Sequence, residues 1–157
     1  MSTSITVTVR EARETDTPVI AQFNIDMAWE TEGKKLNEDA IHAGVTSLMN
    51  KPEYGFYIVA VAKDETVASL MITKEWSDWR NGLFWWIQSV YVKPDFRRQG
   101  VYRAMYKRVL ELAGSHPEVC GCRLYVEKEN VNAQKTYEAL GMEETHYKMY
   151  EEVFESN

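Results

Sequence analysis

The sequence predicts an α/β domain in which a mixed sheet carries helices on both faces, and three observations predict it. Its 157 residues, 45% apolar and 27% charged, suit one domain with a full core. Apolar spacing switches between a period of two and one of about 3.6 in the order β-α-α-β-β-β-α-β-α-β. A meander of three strands followed by β-α-β and then α-β closes into a mixed sheet. No repeat, linker or low-complexity stretch divides residues 1–157, so the chain reads as a single domain.

Each element has its own signal. Ile5 to Arg10 alternates apolar and polar residues, which makes a strand with one buried face. Thr15-Asp16-Thr17-Pro18 starts a helix, since Thr or Asp caps and Pro is tolerated in the first turn. Val19, Phe23 and Met27 form its stripe, and Trp29 to Lys35 reads as a loop. Asn37 caps a second helix, with Glu38 and Asp39 in the dipole-favoured first turn and Ile41, Val45, Leu48 and Met49 as its stripe. Asn50-Lys51-Pro52 ends it.

Phe56 to Ala62 is apolar almost throughout, as in a strand buried on both faces. A turn at Lys63–Thr66 returns the chain through Val67–Ile72. Turn residues at Ser77–Gly82 precede a long strand, Leu83 to Val92. Val101, Met105, Val109 and Leu112 share one face of the next helix, which runs to about Ala113, with Gly114 just past its end. Arg123 to Val126 is a short strand. Val131 to Leu140 is a helix ended by Gly141, and Glu144 to Glu152 alternates loosely as a charged edge strand.

Composition excludes several classes. No apolar run approaches the roughly 20 residues that span a bilayer, so no membrane role is expected. The N-terminus lacks a basic region and an apolar core, so it is not a signal peptide, and a cytoplasmic protein is the simplest reading. A net charge of −6 argues against nucleic acid, which needs a basic face. Lys93, Arg97, Arg98, Arg103, Lys107 and Arg108 do cluster, as a patch for a small phosphorylated ligand. Cys120 and Cys122, the only cysteines, make a poor zinc pattern. They read as thiols at the start of a buried strand in a reducing compartment, and no metal site is expected.

The chemistry gathers between Gln88 and Met105. A strand ends at Lys93-Pro94, a basic turn Arg97-Arg98-Gln99-Gly100 follows, and a helix begins. That arrangement aims unpaired backbone N–H groups and the positive end of a helix dipole at an anion. Gly100 removes the Cβ that would keep a phosphate away, and the arginines add planar donors. Alone, this turn fits a solvated basic pair equally well. A second stretch, Asn130 to Met142, tips the balance. Together the two resemble the Gcn5-related N-acetyltransferase (GNAT) superfamily. Its pyrophosphate loop, Gln/Arg-x-x-Gly-x-Gly/Ala, is matched by Arg97, Arg98, Gln99, Gly100, Val101 and Tyr102. Its second block is matched by Asn130, Ala133, Tyr137, Gly141 and Met142. The departures are Tyr102 for a small residue, which puts bulk beside the pyrophosphate, and Met142 for Phe. Residue matches lie within 90 to 142; element order agrees from 5 to 150.

The resemblance implies a GNAT-like α/β (α+β) fold with a mixed, mostly antiparallel sheet, and acetyl transfer from acetyl-CoA to an amine of a small molecule or peptide by direct attack. It implies that Val90, Tyr91 and Val92 pair with pantetheine through a strand edge. Arg97 to Arg103 hold the pyrophosphate, and Asn130 and Asn132 meet the cofactor or cap the last helix. Tyr137 is the implied acid for the leaving thiolate, because a phenol of pKa about 10 is protonated at neutral pH. Among carboxylates, Glu30 and Glu32 border the acceptor site in similar proteins; Glu75 and Asp78 lie near a hairpin tip. Any of them serves as a base or merely attracts a cationic amine. The tryptophans, Trp29, Trp76, Trp79, Trp85 and Trp86, suit a cationic acceptor, though sheet packing claims at least three. A homodimer fits the aromatic surface. The competing class is a non-catalytic acyl-CoA-binding module of the same fold, and a third reading is an α/β domain for another phosphorylated ligand.

Overall fold

A computed structural model of the protein describes residues 4–155. The chain divides into two compact units, one running to Tyr125 and the other starting at Val126. The first unit holds the five strands found among the described residues, in the order β1-β2-β3-β4-β5. They are β1 (Thr8–Glu11), β2 (Gly55–Ala62), β3 (Glu65–Ser77), β4 (Gly82–Val92) and β5 (Val119–Arg123). Neighbours pair antiparallel except β4 and β5, which are parallel. The helices of this unit are α1 (Thr17–Glu32), α2 (Glu38–Met49) and α3 (Val101–Gly114).

Strand alternation sorts the core into two layers. Tyr57 and Val59 face one way and meet Ile20, Ala21 and Val45 of α1 and α2. Ile58, Leu70 and Ile72 face the other way, toward the side covered by α3, where Met105 and Val109 are fully buried. Each such aliphatic side chain contributes about 1.5–3 kcal/mol through burial. At its start α1 is tied to β1. Arg10 donates two bonds to the Asp16 carboxylate, at 2.7 and 3.1 Å, and Asp16 also accepts from the Arg13 N–H.

Several elements differ from the sequence-based expectation. Trp29 to Glu32 is not a loop: α1 continues to Glu32 and stops at Gly33, whose N–H returns to Trp29 O at 3.0 Å. Nothing before Gly33 breaks a helix, and the polar run is simply the solvent side of a last turn. The first strand begins at Thr8, because the Ile5 N–H donates to Gln99 O instead of to a strand. Gly114 is the last helical residue, and Ser115 caps by donating its hydroxyl to Leu112 O. The fifth strand is Val119–Arg123, not 123–126. Gly121 lies where a Cβ would come within 2.8 Å of the Phe84 ring, so this glycine permits the pairing with β4. Cys120 is exposed there and Cys122 partly buried.

In the second unit, α4 (Val131–Ala139) is the regular element among the described residues. Asn130 caps it, accepting from the Ala133 N–H at 3.2 Å. Gln134 pins the approach by donating to Glu127 O and Lys128 O. The strand expected at Glu144–Glu152 does not form: the stretch is exposed, without regular structure. Alternation is not enough when four of the nine residues are charged and, among the described residues, no strand pairs with the stretch.

Candidate functional site

The ladder between β3 and β4 slips in its middle. Met71 faces Gln88 and Ser69 faces Tyr91, so Ser89 and Val90 together oppose Leu70. Ser89 takes φ +51° to do this, a conformation that side chains other than glycine's resist. Among the described residues no strand pairs with β4 on its other side beyond the bulge, since β5 pairs only with Leu83 to Trp86. The Lys93 N–H donates back to Val67 O at 2.8 Å, so by alternation the Val92 backbone groups face the open side. A ligand carrying spaced amides can pair with such an edge.

The edge runs into a turn shaped for an anion. Arg98 and Gly100 both take positive φ, 62° and 82°. Gly100 needs to be glycine for that reason more than for space, since among the described residues a Cβ would approach Ser4 alone, with Oγ at 3.4 Å and Cβ at 3.8 Å. The Ala104 N–H reaches a carbonyl one turn back, Gly100 O. The amides of Val101 to Arg103 belong to the first turn of α3, at the positive end of the helix dipole. Gln99 steadies the turn by donating to Asp95 O at 2.8 Å and accepting from Ile5. Arg98 and Arg103 are exposed. The Tyr102 ring stacks on Tyr106 one turn along, with centroids 6.2 Å apart, so its bulk follows the helix while its amide stays at the terminus.

Glu30, Tyr91 and Arg97, three residues expected in separate roles, form one cluster. The Tyr91 hydroxyl donates to one Glu30 oxygen at 2.9 Å and Arg97 donates to the other at 2.7 Å. Arg97 Nε donates to Val92 O at 2.8 Å, and its guanidinium lies 5.3 Å over the Tyr91 ring. Arg97, and then Tyr91, hold the Glu30 carboxyl below the usual carboxylate range against the opposing effect of burial. Burial and the adjacent Glu30 push the Tyr91 phenol up to about 12. Glu32, the last residue of α1, is exposed. Glu75 is held much as Glu30 is: it accepts from Trp86 Nε1 at 2.9 Å and from Arg123 at 2.8 Å, and both lower its pKa. Asp78 belongs to the β3–β4 turn, where its carbonyl accepts from Asn81.

The tryptophans divide otherwise than the sequence suggests. Trp85 is buried and Trp86 half-buried, whereas Trp29, Trp76 and Trp79 are 64%, 58% and 89% exposed, so sheet packing claims two and not three. In the second unit, Tyr137 lies on α4, half-buried, and burial raises its pKa, which keeps the phenol protonated. Asn130 is spent as the cap; Asn132 is exposed, and its carbonyl accepts from Thr136. Two features escaped the sequence reading. The bulge at Ser89 lies inside a long strand, where Gln88 and Ser89 alone interrupt the apolar residues from Leu83 to Val92, and the Glu30–Arg97 pair spans 67 residues.

Comparison with known proteins places the arrangement. The model of the acetyltransferase (GNAT) family matches residues 9–142. The solved structure of a possible acetyltransferase from Clostridium difficile 630 is 47% identical, with a TM-score of 0.88 over 95% of this chain and 99% of that one. A predicted acetyltransferase with acetyl-CoA from Clostridium acetobutylicum shares the fold at 16% identity, TM-score 0.75, over 94% and 96% of the two chains. So does AAC(6')-Iy in complex with the bisubstrate analogue CoA-S-monomethyl-acetylneamine, at 17% identity, TM-score 0.75, over 96% and 99%. No curated protein matches the sequence. Among the described residues no helix is long and apolar enough to cross a membrane, and no group of His, Cys, Asp and Glu is arranged to hold a metal ion.

Proposed function

The chain belongs to the acetyltransferase (GNAT) family, and on that premise we propose that it moves an acetyl group from acetyl-CoA to a primary amine of a small molecule or peptide. The observation that carries this reading is the open edge of β4, which leads from the bulge at Ser89 directly into the amides at the start of α3. Pantetheine pairs with the backbone from Val90 to Val92. The pyrophosphate sits on the amides from Gln99 to Arg103, with Arg98 and Arg103 supplying charge.

The amine nitrogen attacks the thioester carbon with its lone pair. The carbonyl oxygen gains the negative charge, which a backbone N–H at the bulge stabilises. The C–S bond then breaks, and Tyr137 protonates the departing thiolate. The amine loses its proton to a carboxylate directly or through water. Glu32, exposed at the end of α1, is freer for that task than Glu30, which Arg97 and Tyr91 already hold. Asn130 and Asn132 are the residues that the family's second block assigns to the cofactor.

The test is a panel of primary amines with acetyl-CoA, followed by release of free thiol. Turnover with at least one amine is expected, and Tyr137→Phe lowers kcat by about a hundredfold, the lower range of general acid catalysis. Unchanged turnover in that variant at every pH removes Tyr137 from the acid role. One observation favours a second reading: Glu30 and Glu75 are both engaged by arginine, as suits a module that binds acyl-CoA without turning it over. Acetyl-CoA binding with no turnover across the panel selects that reading.

A further inference from the structure

We propose that Glu30 is a positioning residue for the cofactor loop, acting through Arg97 and Tyr91, and not the proton acceptor for the amine; the inference rests on the acetyl-CoA reading above. Three separate parts of the first unit meet at this carboxylate: the last turn of α1, the end of β4, and the first residue of the loop. Arg97 is held three ways, by Val92 O, by Glu30 Oε2 and by the Tyr91 ring beneath its guanidinium. Tyr91 is in turn fixed by its bond to Glu30 Oε1 and by the Phe23 ring of α1, 5.3 Å away.

The residue that follows explains why such a clamp is useful. Arg98 takes φ +62°, which a side chain resists, and it is this turn that carries the chain round to present the α3 amides. A conformation of that kind persists only where its flanks are over-determined. Gln99 anchors the downstream flank through Asp95 O and Ile5, and Arg97 anchors the upstream flank through Glu30. The charged groups facing Glu30 are Arg97 and, near its partner Tyr91, Asp26. A carboxylate so occupied is a poor proton acceptor, while the exposed Arg98 and Arg103 remain available to a phosphate.

Two measurements on Glu30→Gln test this, with Arg97→Lys as a second variant that keeps the charge but loses the planar fork. In the free proteins, amide hydrogen exchange across residues 98–103 is expected to rise by about tenfold in both variants as local opening becomes easier. Titration with acetyl-CoA and with ADP is expected to show both ligands weakened, by about fivefold, because pre-organisation of the loop is lost. The KM for acetyl-CoA rises in both variants, while the pH profile for the amine keeps its acidic limb in Glu30→Gln. Unchanged loop exchange overturns the proposal, as does tighter acetyl-CoA binding in Glu30→Gln, which would make Glu30 a competitor for Arg97. So does a fall in kcat with loss of the acidic limb of the profile, which would make it the base. If the wild type binds no acetyl-CoA, the functional reading falls, and loop exchange alone decides whether the clamp exists.

Discussion

Helix α1 is tied down at both ends by a carboxylate–arginine pair, and the two pairs are built differently. At its start, Arg10 grips Asp16 with two bonds across six residues, and the carboxylate side chain is only 9% exposed. At its end, Arg97 reaches Glu30 with one bond across 67 residues, and both side chains are more than a third open to water or close to it, at 43% and 35%. The first pair is local and shielded, so its worth is stability. The second is solvent-screened and worth little as an ion pair. Its value lies in what it joins, because its other contacts reach the β4 edge and the turn from Arg97 to Gly100. Similar chemistry therefore serves the fold at one end of the helix and the site at the other.

The largest break in that comparison is expected from Asp16→Asn. It leaves the Arg10 guanidinium without its carboxylate and should cost about 2 kcal/mol of stability, read as a lower Tm, with acetyl-CoA affinity unchanged. The pH dependence follows the same pair. Arg10 holds the Asp16 carboxyl below its ordinary value, so its contribution is complete above the unfolded pKa and is lost as pH falls through the folded one. The Tm gap between wild type and Asp16→Asn should be constant at neutral pH and close below about pH 4, near the unfolded Asp value. Glu30 is shifted in the same direction, but its exposure makes the matching gap for Glu30→Gln much smaller.

Arg97→Gln sharpens the contrast from the other side. Acetyl-CoA should bind about tenfold more weakly, roughly 1.4 kcal/mol, while Tm moves little. A variant that lost stability and kept affinity would show that the two ends of α1 do the same job. Arg123→Ala is a useful companion, since Arg123 pairs with Glu75 and lies 3.6 Å over the Phe84 ring. It should cost about 1 kcal/mol of stability and leave affinity untouched. The smallest effect is expected from Tyr91→Phe. It deletes one hydrogen bond to Glu30 but keeps the ring under Arg97, so affinity should fall by about twofold, within the range of a partly exposed bond.

This contrast also explains what could be read from the sequence. The buried apolar run from Phe56, the Asn37 cap and the stop at Gly141 are local signals, and the structure contains all three. The turn from Arg97 to Gly100 was legible because strand, glycine and helix follow one another in the chain. Glu30 and Arg97 each stand out in the sequence, but their pairing does not, because nothing local announces a bond to a residue 67 positions on. The Ser89 bulge was hidden because Ser-Val-Tyr-Val continues the strand pattern, and the slip is set by pairing with β3. Trp29 to Glu32 looked like a loop because the end of a helix faces water. The expected strand at Glu144–Glu152 had the alternation of one and, among the described residues, no partner to make it so.

The most direct test of the central claim is calorimetric titration of the wild-type protein with acetyl-CoA, CoA and ADP. If the open β4 edge and the α3 turn together hold the cofactor, acetyl-CoA and CoA bind with micromolar affinity and ADP, which lacks the pantetheine arm, binds at least about tenfold more weakly. Equal affinity for ADP and acetyl-CoA, or no binding of either, would contradict it.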